Sequence, residues 1–209
     1  MTSFGDVFYI KEELYMLKLN MPTVETERLI LRNIEEGDAE DMYEYASDDE
    51  TIFWLSFPKH RSIEDSRQVI RDLFMTRVEH GNPSGYCLVL KENNKMIGCC
   101  DIAEVDRFGS GNIGYVINKE YWNQGYATEA CLKLIEVAFE YVGFHRLEIA
   151  HAVGNLRSKK VIEKCGFVFE GIKRKYVPIH DGTYHDCMIY SLLKEDYERM
   201  KENGKRTDQ

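Results

Sequence analysis

The spacing of apolar residues changes several times along the 209-residue chain, and each change predicts an element. Glu27–Asn33 alternates apolar and polar positions, the period of a strand with one buried face. Glu35–Asp49 is acidic and predicts a short helix. In Ser62–His80 the apolar Ile63, Val69, Ile70, Leu73, Phe74 and Val78 follow a helical period, and Ser62 with Asp65 three residues on is close to a capping box. Strand patterns return in Ser84–Glu92, Lys95–Val105 and Gly111–Asn118. The first two are joined by Asn93-Asn94, residues suited to left-handed turn angles.

Ala127–Phe144 places Ala127, Ala130, Cys131, Leu134, Ile135, Ala138 and Val142 on one helical face and stops at Gly143. Arg146–Val153 then predicts a strand, Asn155–Gly166 a short helix, and Phe167–Val177 with Thr183–Leu193 a terminal hairpin turning at Asp181-Gly182. This order predicts one mixed α/β (α+β) domain, since a parallel repeat or a helical bundle would show a simpler alternation. The expected limits are an extension at residues 1–20, a domain over residues 21–200 and a frayed tail at residues 201–209.

A net charge of −9 argues against a broad grip on nucleic acid, which needs a basic footprint. Six scattered cysteines without a CxxC pair form neither a disulfide framework nor a zinc site, and suit small reduced core residues. No apolar run reaches the ~20 residues of a membrane span, and the first twenty residues lack a signal-peptide pattern, so a cytoplasmic protein is expected. His180, Asp181, His185 and Asp186 cluster around Gly182. They hold ligand types for a metal, but Asp181-Gly182 is also a strong turn signal, and a turn without metal is the preferred reading.

The stretch Tyr121–Ala130, YWNQGYATEA, lies between a strand and a helix. A helix start leaves backbone N–H groups without partners, and with the helix dipole these attract an anion. Gly125 permits close approach of a ligand to the backbone, Ala127 keeps the first turn free of bulk, and Thr128 adds a hydroxyl. The stretch has neither the Lys-Ser/Thr of a nucleotide P-loop nor the three glycines of a dinucleotide fingerprint. By itself it reads equally well as a plain strand-to-helix turn.

Its surroundings carry more. GYVINKEYWNQGYATEACLKLIEVAFE and HRLEIAHAVGNLRSKKVIEKCGFVFEGIKRK, with TERLILRNIEEGDAEDMYEY before them and GTYHDCMIYSLL after, resemble the GNAT acetyltransferase superfamily from about Glu25 to Leu193. Within it the chain is most similar to the RimJ/RimL-like branch of ribosomal-protein N-terminal acetyltransferases. The resemblance implies the GNAT acyl-CoA N-acyltransferase fold, with a central mixed, mostly antiparallel sheet flanked by helices. It also implies acetyl-CoA as cosubstrate, and as acceptor a primary amine, either a protein N-terminus or a small molecule. No nucleic-acid or membrane partner is expected, and the chain is taken as monomer or homodimer.

By the same resemblance, Trp122, Asn123, Gln124, Gly125, Tyr126, Ala127 and Thr128 would cradle the pyrophosphate. The backbones of Tyr115 and Ile117 would hold the pantetheine arm, with the Tyr115 amide polarising the thioester. Asn155 and Ser158 match the superfamily's Asn-x-x-Ser; Asn155 would bind the arm and Ser158 would protonate the thiolate. Read as local structure, Asn155 caps a helix and Ser158 sits in its first turn. A tyrosine that often serves as the acid is replaced by Ile162, and no acid occupies the place near Val177 where the branch has a glutamate. Glu104 and Asp101 are candidates for the base, as is His151. Arg157, Lys159 and Lys160 face either the 3′-phosphate or solvent, and Trp54, Phe57 and Tyr86 line either the acceptor cleft or the core. The missing tyrosine, the unassigned base and the uncharged loop leave a second reading, a CoA-binding sensor without catalysis.

Overall fold

The computed structural model describes residues 17–179 and 181–207. Expectations for residues 1–16, 208–209 and His180 fall outside the described residues. Eight strands form one sheet: β1 (Val24–Glu25), β2 (Leu29–Asn33), β3 (Tyr86–Leu90), β4 (Met96–Ala103), β5 (Ser110–Ile117), β6 (Arg146–Ala152), β7 (Val168–Pro178) and β8 (Tyr184–Leu193). Their spatial order is β1-β2-β3-β4-β5-β6-β8-β7. Every neighbouring pair is antiparallel except β5 and β6, which run parallel. The sheet matches the mixed, mostly antiparallel architecture expected from the sequence.

Alternation along the strands sends side chains to two cores. On one face Leu29, Leu31, Leu88, Ile113 and Leu147 meet the apolar stripe of α4 (Tyr126–Glu136), which runs on through a wider turn at Val137–Val142. Gly143 ends it with φ of 101°, a left-handed angle that glycine adopts without strain. On the other face Cys87, Val89, Cys99 and Val116 meet α1 (Ala39–Ala46) together with Val69 and Ile70 at the end of α3 (Ile63–Val69). Between these helices lies the short α2 (Asp49–Ile52), whose N-cap Asp48 accepts the Thr51 amide at 2.8 Å.

The long helix predicted over Ser62–His80 is interrupted. Regular helix holds for α3, a wider turn follows at Ile70–Phe74, and turns continue beyond. There Arg77 points inward, pairs with Asp101 of β4 and donates to the Ile102 carbonyl. A buried charge needs its partner, and that need overrides the helical period.

α5 (Leu156–Lys164) follows β6 and ends at Gly166, φ 83°. The chain closes with α6 (Lys194–Thr207), a helix not foreseen from its polar sequence. Tyr197 packs against Phe139 with tilted rings, centroids 5.2 Å apart, and the Met200 sulfur lies against Gly166. Helix thus crosses position 200, where a tail was expected. At the other end the Leu19 carbonyl accepts the Ser84 amide at 2.8 Å, so residues 17–20 join the body of the domain.

Gly98 of β4 pairs with Ile117 of β5, and a Cβ there would lie 2.1 Å from the Val116 carbonyl oxygen. Gly98→Ala is therefore expected to destabilise the fold by roughly 1–3 kcal/mol, the cost of overpacking a tight interior. Urea denaturation would show a lower midpoint at an unchanged slope.

Candidate active site

β5 and β6 pair at only three positions, Ser110 with Arg146, Gly111 with Leu147 and Asn112 with Glu148. Beyond them the strands separate, each keeping its partner on the far side: β5 stays on β4 through Ile117, and β6 stays on β8 through Ala152. Backbone groups point left and right alternately along a strand. The Asn118 amide donates to the Ile97 carbonyl of β4, so two-residue steps back turn Val116, Gly114 and Asn112 toward β4 as well. Ile117 and Tyr115 must then present their N–H and C=O groups to the gap, whereas the Ile113 amide still serves the last β5–β6 pair. The same parity on β6, set by the Val153 amide donating to Asp186, turns Ala152 and Ala150 toward it. The result is an opening of about 540 Å³ with unpaired strand edges on both sides. Buried backbone polar groups demand partners, which makes such an opening a place for a ligand.

The loop after β5 closes one end of this opening. Asn123 and Gly125 take left-handed angles, φ 60° and 88°, as suits asparagine and glycine. α4 then starts with Gly125 as N-cap and no side chain capping it, and its first intrahelical bond runs from the Glu129 amide to the Gly125 carbonyl. The amides of residues 123–128 therefore make no backbone hydrogen bond among the described residues. By contrast, α2, α3 and α5 are capped by Asp48, Ser62 and Asn155. Trp122, Asn123, Gly125, Tyr126, Ala127 and Thr128 line the opening, whereas Gln124 turns away and its amide donates to the Glu120 carbonyl at 3.1 Å. The Trp122 indole donates to the Ile117 carbonyl at 2.7 Å, tying the loop to the strand edge.

Arg28, from the β1–β2 turn, braces the loop from behind. It donates to the Gln124 carbonyl at 2.9 Å and its guanidinium lies 4.2 Å from the centre of the Tyr126 ring. Glu129 in the first turn of α4 holds Arg28 at 2.6 Å and also accepts from the Thr26 hydroxyl and the Arg28 amide. Burial alone would raise the Glu129 carboxyl, but these donors together carry it below its ordinary value.

On the α4 side of the gap, the Tyr115 hydroxyl meets Ser158 Oγ at 2.8 Å. Burial pushes the Tyr115 phenol well up, so it stays protonated and able to donate. Asn155 caps α5 by accepting the Ser158 amide at 3.1 Å, and both residues line the opening. His151 is buried there too. Its Nδ1 lies 2.9 Å from the Ala152 carbonyl, which can only accept, so Nδ1 carries a proton, and Nε2 lies 3.2 Å from the Tyr190 hydroxyl. Ile162 sits in the core and does not reach the gap.

The opposite side is formed by Glu50, Thr51, Trp54 and Leu55, with Val177 of β7 and Cys187 of β8. Trp54 meets His185 edge-on at 5.7 Å and packs over Ala152 and Cys187. Phe57 lines a separate cavity beside α1 and α3, and Tyr86 is buried with its hydroxyl on the Pro22 carbonyl. Of the three expected bases, His151 lines the opening and neither carboxylate reaches it. Asp101 is occupied by Arg77, and burial pushes its carboxyl up. Glu104 is exposed and accepts from Asn112 at 3.1 Å, at the end where β5 and β6 still pair. Glu50 is the carboxylate that lines the gap.

Three contributors escaped the sequence reading: Glu50, the Tyr115 side chain and Lys164. Arg157, Lys160 and Lys164 line the opening and give it cations that the loop lacks, while Lys159 pairs outward with Glu163 at 3.6 Å. The i, i+3, i+7 spacing of Arg157, Lys160 and Lys164 was the available signal for a shared helix face. Arg157 also stacks 4.1 Å from the centre of the Trp122 ring and reaches Glu50 at 3.4 Å. At the β7–β8 turn, Asp181 accepts from the Thr183 amide at 2.8 Å and from its hydroxyl at 2.7 Å. No group of three or more potential metal ligands converges among the described residues. No helix there is long and apolar enough to cross a membrane. All six cysteines are buried and free, and burial pushes the Cys99 thiol up to about 12, unsuited to a thiolate nucleophile.

The family profile described as "Acetyltransferase (GNAT) domain" matches residues 28–168. The uncharacterized N-acetyltransferase p20 of Bacillus licheniformis is 31% identical over 178 residues, covering 85% of this chain and 99% of that protein. The putative ribosomal N-acetyltransferase YdaF of Bacillus subtilis is 33% identical over 180 residues, covering 84% and 96%. Among solved structures, the ribosomal-protein-S5-alanine acetyltransferase of Vibrio fischeri superposes with a TM-score of 0.72 at 26% identity, covering 84% of this chain and 98% of that one.

The linkage of Thr26, Arg28 and Glu129 has a pH signature. A carboxyl lowered by folding adds stability above its unfolded value of 4.5, and that contribution is lost as pH falls through the lower folded value. Glu129→Gln is thus expected to be less stable than the parent at neutral pH and to lose less stability on acidification below 4.5, measured by urea denaturation at each pH.

Proposed function

Because the chain belongs to the GNAT acetyltransferase family, we propose that it transfers the acetyl group of acetyl-CoA to a primary amine, by direct attack in a ternary complex. The observation that carries this reading is the junction of the open strand edge of β5 with the uncapped amides of residues 123–128. One edge suits an amide-bearing arm, and the run of free N–H groups suits a pyrophosphate. Arg157, Lys160 and Lys164 stand near enough to add charge.

In this reading Gly125 and its neighbours bind the phosphates, and the amides of Tyr115 and Ile117 hold the pantetheine arm alongside Asn155. The Tyr115 amide faces the developing oxyanion. The acceptor enters from the Trp54 side, where its unprotonated nitrogen meets the thioester carbon. The new C–N bond forms as the C–S bond breaks. The amine's proton leaves through water toward Glu50, and the departing thiolate takes one from Ser158, which regains it from solvent while the Tyr115 hydroxyl holds it in place. A tyrosine at position 162 is not needed for this relay.

The acceptor is a protein N-terminus or a small amine, and the chain acts in the cytoplasm as monomer or homodimer. Placement in the RimJ/RimL-like branch is supported by the ribosomal acetyltransferase names of two similar proteins, YdaF and the S5-alanine enzyme.

Two substitutions test the assignment. Gly125→Glu puts a carboxylate into the cradle and is expected to abolish acetyl-CoA binding in calorimetry; normal affinity would remove the loop from the site. Ser158→Ala should lower kcat by roughly 10²-fold or more in a thiol-release assay while acetyl-CoA affinity holds. Unchanged turnover would exclude Ser158 as the acid.

A further inference from the structure

β7 carries a bulge beside the acceptor side of the opening. Lys173 pairs with Cys187 and Val177 with His185, so four steps along β7 oppose two along β8. The intervening Arg174, Lys175 and Tyr176 stand opposite Asp186 alone, and all three are exposed. Lys175 takes φ of 44°, disfavoured for any residue with a side chain, and Asp186 of β8 holds it there by accepting its amide at 2.8 Å. Bulges often re-aim side chains next to active sites, and backbone strain persists where surrounding contacts impose it. Val177 ends this bulge and lines the opening, and Cys187, the partner of Lys173, lines it as well.

The bulge sets three consecutive cations on the rim. Lys173 lies 4.3 Å from the centre of the Tyr176 ring, and none of the three forms an ion pair among the described residues. Arg157, Lys160 and Lys164 add further positive charge from α5. Glu50, which lines the opening, is already reached by Arg157, and Asp186 serves the bulge backbone. A chain of net charge −9 thus sets an exposed run of three cations next to strand residues that line the acceptor side of its opening. Such a rim repels a polyamine and draws in an amine whose own molecule is anionic.

We infer that the acceptor is a primary amine carried by an anionic molecule, with a carboxylate or phosphate near the amine held by the bulge Lys173–Arg174–Lys175. This rests on the acetyl-transfer reading above. The selectivity arises in binding, because the bulge cations stand at the rim and away from the hydroxyl pair that handles the leaving group.

The test is steady-state acetylation by the full chain at saturating acetyl-CoA. Acceptors are a peptide with acidic residues at its second and third positions, its neutral and lysine counterparts, O-phosphoethanolamine, ethanolamine and spermidine. The acidic peptide should exceed the neutral one about tenfold in kcat/KM, with the advantage shrinking as salt rises. Preference for phosphoethanolamine over ethanolamine without a peptide preference would identify a small phosphate as the anionic group; the reverse would identify peptide carboxylates. The variant Lys173→Gln/Arg174→Gln/Lys175→Asn should erase the preference through KM, with acetyl-CoA affinity unchanged as evidence of folding. A best rate on spermidine or the lysine peptide, or a preference that survives in the variant, overturns the inference while acetyl transfer stands. If acetyl-CoA binds and no amine is acetylated, or acetyl-CoA does not bind, the transfer reading fails and this inference falls with it.

Discussion

The structure depends on one broken pairing. β5 and β6 start as a parallel pair and part after Asn112 and Glu148, although each remains fully bonded on its other side. Separation exposes polar backbone inside a sheet, a state that folding normally avoids. The protein satisfies part of it internally: the Trp122 indole takes the Ile117 carbonyl, while the Asn155 amide and the His151 ring share the Ala152 carbonyl. What remains open defines the ligand. Because the gap passes through the sheet, it has two faces, one with Tyr115, Asn155, Ser158 and His151, the other with Trp54, Val177 and Cys187. Two substrates can thus meet from opposite sides.

Sequence elements serve this gap in different ways. The loop at residues 121–125 must turn sharply without a cap that would consume amides, and Asn123 and Gly125 supply the left-handed angles. Arg28 and Glu129 hold that loop through charge, from a turn about a hundred residues away in sequence. On α5, Asn155 acts both as cap and as wall, so local helix chemistry and site geometry coincide.

Much of this was legible in the sequence because it was local. Strand alternation in Glu27–Asn33, the apolar stripe of α4 and the glycine stops at 143 and 166 follow from periodicity and backbone preference. The family resemblance pointed to the loop and the Asn-x-x-Ser pair, both of which border the opening. What was not legible depends on distant partners. The break in the helix after Val69 follows from Arg77 meeting Asp101, and no periodicity encodes that pairing. α6 was missed because its apolar contacts reduce to Tyr197 and Met200 in a polar segment. Glu104, just past the end of β4, lies at the closed end of the gap, a position set by the pairing of distant strands. The non-catalytic reading loses its motives in the same way, since α5 supplies the missing cations and Tyr115 with Ser158 supplies a hydroxyl pair.

The central claim is that the open edge of β5 and the free amides of residues 123–128 form one binding surface for acetyl-CoA. Residue-resolved hydrogen–deuterium exchange with and without acetyl-CoA tests it most directly. The account predicts strong slowing together at Tyr115, Ile117 and the amides from Asn123 to Thr128, with little change in β1 and β2. Saturating acetyl-CoA that leaves these amides exchanging as in the free protein would contradict it.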